Sequence, residues 1–219
     1  MSGEHKAQLI CLSVVLTALV VVKISWSSRL RKRPKQLSTV AQRLGLDFRP
    51  DKDVALAGEW HFLDTLHGWP DEIRYAFNVL EGRRSSHRVL IFDYHYQDES
   101  RGGFANPIKD RTVLILQLEG ASFPKLFISW EIARAIRFES AEFSQRYGVV
   151  SDDKKFAYDV CNPQMIEFLL ANPPLRIEIN GPALVLDPHS LLHPDLIEMN
   201  LQRLLTIRSR LPEYLFTKV

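Results

Sequence analysis

The chain has 219 residues, with 28 Lys and Arg against 26 Asp and Glu, a formal charge of +2. An apolar fraction of 46% and a charged fraction of 25% are ordinary for a folded globular protein and exclude wholesale disorder, collagen-like repetition and a polytopic membrane protein. Two cysteines exclude a disulfide-stapled scaffold.

The first 36 residues differ from the rest. Leu9 to Val22 carries no charge, and the 20 residues from Ala7 to Trp26 contain only Gln8 and Lys23 as strongly polar side chains. As a helix that stretch would cross the roughly 30 Å hydrocarbon core. Lys23 could carry its ammonium out to the headgroups, and Trp26 falls where an interfacial aromatic belongs. Arg29, Arg31, Lys32, Arg33 and Lys35 follow, whereas Glu4 and Lys6 cancel on the other flank. Cationic flanks resist translocation, so the arrangement predicts a single-pass inner-membrane protein with its C-terminal body in the cytoplasm. The same five cations would attract anionic headgroups. Ser25-Trp26-Ser27 offers a competing signal-peptide cleavage site, but a secretory signal has its positive charge before the apolar run, not after it.

Residues 37–219 carry 21 basic and 25 acidic side chains, a net of −4, so the basicity of the whole chain comes from the membrane flank. A mildly acidic body lacks the footprint of a nucleic-acid binder. The expected partners are therefore the lipid bilayer and a protein, with no nucleic acid. The division is an anchor with basic flank over 1–36 and one cytoplasmic domain over 37–219. Cys11 in the span and Cys161 in the body would not pair.

In chain order, Ser38 predicts a helix cap, with a short helix to Leu44 stopped by Gly45. Residues 47–72 show no clean periodicity and read as loop with a possible short strand. Ile73, Tyr75, Phe77 and Val79 alternate with polar residues, and Val89 to Tyr96 follows a polar turn, which predicts a hairpin. Thr112 to Leu118 predicts a strand covered on both faces. Leu126–Ser129 and Ala135–Phe138 predict two short strands. Ser151 with Asp152 and Asp153 suits a helix start, Asn162-Pro163 another. Leu175 to Ile179 and Ala183 to Leu186, joined by Asn180-Gly181-Pro182, predict a second hairpin. Pro194 and Asp195 open a final helix with Ile197, Leu201, Leu204 and Leu205 on its core face, ended before Pro212. Hairpins segregated from helices point to α+β: after the transmembrane helix, one domain with an antiparallel sheet and C-terminal helices.

Several segments carry a resemblance: Asn78-Val79-Leu80-x-Gly82, Phe92-Asp93-Tyr94-x-Tyr96, and Phe138-Glu139-x-x-Glu142-Phe143-x-x-x-Tyr147-x-Val149-x-Ser151-Asp152-Asp153, with Ala157 and Met165. Over roughly residues 40–210 the chain resembles a group of uncharacterised bacterial proteins, often with an N-terminal membrane segment and a cytoplasmic α+β domain. The shared positions are mostly aromatic and apolar, so the resemblance implies an architecture and no activity.

For chemistry, Asp187-Pro-His189-x-x-x-His193-x-Asp195 places two imidazoles and two carboxylates within nine residues, a set that could bind zinc or another divalent ion in a metal-dependent hydrolase. Pro188 and Pro194 favour a polar loop instead, with Asp195 charging the last helix's first turn. Asp93 and His95 share a strand face and could act as base and orienter, although polar residues on a solvated face explain them equally. Arg83, Arg84 and Arg88 form a basic hairpin tip that could serve an anionic lipid-headgroup sensor. Glu139, Glu142, Asp152 and Asp153 gather acid near Tyr147, the last two explained by capping. P-loop, dinucleotide-binding, nucleophile-elbow and C-x-x-C motifs do not occur, and no cofactor is expected. The sequence therefore predicts a non-catalytic binding or scaffolding domain at the cytoplasmic membrane face.

Overall fold

The computed structural model describes residues 31–66, 73–84, 86–97, 109–132 and 136–216. The apolar run from Ala7 to Trp26, and Arg29, lie outside the described residues, and so do 67–72, 98–108 and 133–135. Among the described residues no helix is long and apolar enough to cross a membrane.

Among the described residues the chain forms an α+β domain built on one antiparallel sheet of eight strands. Helix α1 covers residues 31–44. It is followed by β1 (Asp47–Arg49), α2 (Val54–Glu59), β2 (Ile73–Arg84), β3 (His87–Gln97), β4 (Lys109–Gln117) and β5 (Phe123–Ser129). Next come α3 (Ala141–Arg146), β6 (Gly148–Ser151), α4 (Lys154–Val160), α5 (Pro163–Ala171), β7 (Arg176–Gly181), β8 (Ala183–Asp187) and α6 (Ile197–Arg210). The spatial order is β1-β2-β3-β4-β8-β7-β5-β6. The last hairpin, β7–β8, is thus inserted between β4 and β5 and joins the two halves of the sheet.

Both faces are covered. On one, Leu37, Val40, Ala41 and Leu44 of α1 pack with Leu204 and Ile207 of α6 and with Phe156, Met165 and Leu169 of α4 and α5, above Val89, Ile91, Leu114, Leu116 and Ile177. On the other, Leu56, Ala57, Trp60, Leu63 and Leu66 cover Leu90, Phe92, Tyr94, Val113 and Ile115. This explains the unbroken apolar run of β4, whose Val113 to Leu116 are all inaccessible. The edges are short: β1 has three residues and β6 four, and the Ile136 N–H donates to the Val149 carbonyl (2.8 Å) on the outer side of β6.

Four local expectations need correction. Helix α1 does not start at Ser38 but is already helical at residue 31, so the division at residue 36 falls inside it. Its stop is as read, with Gly45 in the left-handed region at φ 60. Residues 47–66 are a covering segment with its own helix, whose cap Asp53 accepts the Leu56 N–H at 2.8 Å. Residues 136–138 form no strand; the edge strand is β6, which ends at Ser151 and leaves Asp153 as cap of α4, accepting from the amides of Lys155 and Phe156. Asp93 does not lie on a solvated face but under α1.

Candidate functional site

The most developed polar site lies where α1 meets the sheet. Helical spacing puts Arg33 on the same face as Leu37, Val40, Ala41 and Leu44, so it enters the sheet–helix interface with them. Arg33 is 7% exposed and Asp93, on β3, 1%. The guanidinium binds the carboxylate side-on in a bidentate pair, Nε to Oδ2 and Nη2 to Oδ1, each at 2.7 Å. Its Nη1 donates to the Leu192 carbonyl at 2.5 Å. Asp93 also accepts from Asn78 Nδ2 (2.8 Å) and from the Thr112 hydroxyl (3.0 Å). That hydroxyl in turn accepts from Arg33 Nη2 (3.1 Å) and the Leu192 N–H (3.0 Å).

A charge pair so far from water is tolerable only because every carboxylate lone pair is occupied in good geometry. The local fold supports it. The β2–β3 register shifts between Phe77 and Leu80, and Asn78 there adopts φ 51, a conformation Asn accepts more readily than most residues. Two segments of the resemblance, around Asn78 and around Asp93, thus meet in one bonded cluster. Arg33 is correspondingly no part of a headgroup-facing collar; of the described flank cations, Arg31, Lys32 and Lys35 are exposed.

The proposed metal set is not gathered. Asp187 ends β8 in the interior, where Oδ2 accepts from Arg111 Nη1 (3.1 Å) and lies 3.7 Å from Arg176 Nε, and Oδ1 accepts the His189 N–H (2.7 Å). Arg111 also donates to the Thr65 carbonyl. His189 turns back at φ 60, with Nδ1 2.9 Å from Arg176 Nη1. His193 and Asp195 face each other at 3.3 Å on the exposed loop before α6. Among the described residues no three His, Cys, Asp or Glu side chains are grouped as ligands of a metal ion. His95 does not orient Asp93: it pairs with Asp110 at 2.6 Å and stacks on Tyr75.

The hairpin tip is engaged as well. Arg88 binds Glu59 and Glu81, each at 2.8 Å, and Arg83 binds Glu119 at 2.8 Å. Near Tyr147, the acidic residues Glu139, Glu142, Asp152 and Asp153 do not converge on the phenol. Its hydroxyl donates to the Leu169 carbonyl and accepts the Leu175 N–H (3.1 Å), and burial raises its pKa.

Sequence reasoning missed Glu178. It sits on β7, 1% exposed, and accepts the amides of Asp64 and Thr65, both at 2.8 Å, clasping the covering segment to the sheet. Burial raises its pKa against the pull of the Thr65 and Asp64 hydrogen bonds. Its place in the alternating Arg176–Glu178–Asn180 series resembles a solvated face, and the series alone contains no signal that another segment lies over it. Outside this sheet, a mostly apolar groove of about 770 Å³ runs along α4 and α5, lined by Phe138, Tyr158, Ile166 and Leu170 with Glu139 and Glu167. Cys161 at its floor is buried, which pushes its thiol up to about 12 and leaves it without thiolate character.

Fold and site together define a helix-covered antiparallel α+β domain tied by a buried ion pair to the segment that precedes it. No protein-family model matches the chain, and no curated protein matches its sequence. A solved structure with a similar fold is that of the mycobacterial trehalose monomycolate transport factor A, TtfA, at TM-score 0.61 and 16% identity, spanning 83% of this chain and 97% of that one. At that identity the likeness concerns the fold.

Proposed function

We propose that this chain is a single-pass protein of a bacterial inner membrane whose α+β domain works on the cytoplasmic side as a non-catalytic binding or scaffolding module. The observation that carries the reading is the Arg33–Asp93 pair. It fastens the chain, seven residues after Trp26, to the middle of the sheet, as an anchor that must hold a body close to a bilayer would require. The charge asymmetry around residues 7–26 supports the orientation. The buried ionisable groups support a binding role: Asp93 holds α1, Glu178 holds the covering segment and Asp187 holds the loop after β8, so each carboxylate serves the architecture. The fold likeness to a protein named as a transport factor is in keeping with an accessory role in an assembly.

Headgroup sensing by Arg83, Arg84 and Arg88 fits this arrangement poorly. Arg88 lies five residues from Asp93 along β3, about 17 Å toward the other end of the sheet from Arg33.

The test is topology of the full chain expressed in bacterial cells. Extraction should require detergent, and protease should spare the body in intact spheroplasts yet digest it in inverted vesicles. Digestion in intact spheroplasts, or a mature chain beginning near Ser28, would overturn the proposal.

A further inference from the structure

Helix α5 presents apolar side chains on two sides. Met165 and Leu169 are buried in the core, whereas Pro163, Ile166 and Leu170, spaced by three and then four positions, line the groove beside α4. The facing wall is aromatic and held in place. The Phe138 and Tyr158 rings meet edge-on with centroids 5.2 Å apart, and the Tyr158 hydroxyl donates to the Arg137 carbonyl at 3.2 Å. Tyr158 is nevertheless 51% exposed. Past Tyr158 and Pro163 the groove continues into a second recess of about 750 Å³, which shares those two residues and reaches Pro212 and Tyr214. The two cavities form one trough, suited to an elongated occupant more than to a compact one.

The charge along the trough is predominantly negative. Four carboxylates line it, Glu139 and Glu167 in the groove and Asp159 and Glu213 in the recess, against one guanidinium, Arg210. Asp159 and Glu213 bind Lys155 (2.8 Å) and Arg208 (3.0 Å). Arg210 donates to the Gln164 carbonyl at 3.3 Å and lies over the Phe168 ring, and Arg146 donates to the Leu170 and Asn172 carbonyls. Glu139 and Glu167, both exposed, have no ion-pair partner among the described residues, and the neighbouring Arg137 and Lys154 line neither cavity.

Deepening the binding role proposed above, on which this step rests, we infer that the α4–α5 trough receives a short amphipathic helix of a partner protein, its apolar face on Ile166, Leu170 and Tyr158 and its Lys or Arg side chains beside Glu139 and Glu167. A helix laid along α5 meets a stripe of its own period, so its anchors at i, i+3 or i+4 and i+7 find apolar partners in step. A cation at the rim gains a carboxylate and the face of the Tyr158 ring. An acyl chain would leave both carboxylates uncompensated, and an anionic occupant would be repelled by them. The net charge of −4 over residues 37–219 also favours encounter with a cationic partner.

The experiment titrates the full chain in nonionic detergent against a fluorescein-labelled Leu/Lys amphipathic peptide of about 14 residues, roughly 21 Å as helix, and against its counterpart with Glu in place of Lys. Anisotropy reads binding over empty micelles, and a benzophenone on the apolar face of the peptide reports the contact by mass spectrometry. The variants are Glu139→Lys with Glu167→Lys, and Ala171→Trp, which fills the groove from an exposed position at the end of α5. We expect saturable binding of the Lys peptide with cross-links at Phe138 and within residues 158–170, and no binding of the Glu peptide. The charge-reversed variant should bind about tenfold more weakly, and Ala171→Trp should also weaken binding, each at an unchanged urea midpoint. Equal affinity for the natural chain and both variants, binding of the Glu peptide, cross-links elsewhere, or no saturation by about 100 μM overturns the inference. So does a phospholipid seen on the chain by native mass spectrometry and lost in Ala171→Trp, which would assign the groove to an acyl chain. The spheroplast test is read separately: a protected body that binds no peptide loses this surface and keeps its placement, and a digested body that binds keeps the surface and loses the placement.

Discussion

Arg33 and Asp93 depend on each other more than on any apolar neighbour. Removing one partner strands a charge that α1 and the sheet keep from water, so Arg33→Ala or Asp93→Ala should cost about 3–5 kcal/mol in urea unfolding of the detergent-solubilised chain. The double variant Arg33→Met with Asp93→Leu should regain much of that loss, because an apolar pair of similar volume needs no charge compensation. An equal loss in the double variant would show that Asn78 and Thr112, left without their acceptor, dominate the site. Glu178 gives a pH signature. Its folded-state pKa is raised, so the folded chain holds that proton more tightly than the unfolded chain. The resulting stabilisation is complete below the unfolded value of about 4.3 and disappears as pH rises through the folded value. The stability of the natural chain relative to Glu178→Gln should therefore fall with rising pH across that window, read as the difference in urea midpoints. Cys161, with its thiol near 12, should react with a disulfide reagent at pH 8 only as fast as the domain opens.

At the scale of elements, close approach of backbones sets what each strand tolerates. A Cβ on Gly148, the first residue of β6, would lie 2.5 Å from Ile132 Cβ and 2.6 Å from its carbonyl oxygen. Gly148→Ala should lower the thermal midpoint, by a cost of about 1–3 kcal/mol, since backbone must shift. Gly82→Ala meets the end of the Leu46 side chain at 2.7 Å, which can rotate, and should cost less. Alternation and turn residues made β2, β3, β4, β7 and β8 legible in the sequence, and Asn162-Pro163 and Pro194 marked two helix starts. The first turns of helix α1 are hidden in the sequence because the charges of residues 29–35 stand out as a group. The spacing of Arg33, Leu37, Val40, Ala41 and Leu44 contains the helical face that a charge count conceals. Edge strand β6 was hidden because it is four residues long and its last residue, Ser151, also resembles a cap. Of the candidate site, Asp93 is visible as a polar residue in an apolar strand, but the strand alone does not show that α1 covers it. Its partners are 15 to 60 residues away in sequence, and pairing across such distances leaves no local pattern.

For the whole molecule, the decisive feature is the spatial order of the strands. β4 and β5, consecutive in the chain, do not pair; β8 and β7 stand between them. The two halves of the sheet consequently form one cooperative body, and unfolding of the complete chain followed by circular dichroism and by fluorescence should give coincident transitions. A chain ending at Asn172 should show no cooperative transition, because β4 and β5 each lose one of their two partners, which separates β1–β4 from β5–β6, and the helical face loses α6. A stable, cooperatively melting fragment would refute that dependence. The insertion also has a consequence during synthesis. The strands that bridge the sheet leave the ribosome after the other six, so a nascent chain that stalls just before them carries two unsatisfied strand borders, open to pairing with any neighbouring polypeptide until translation resumes.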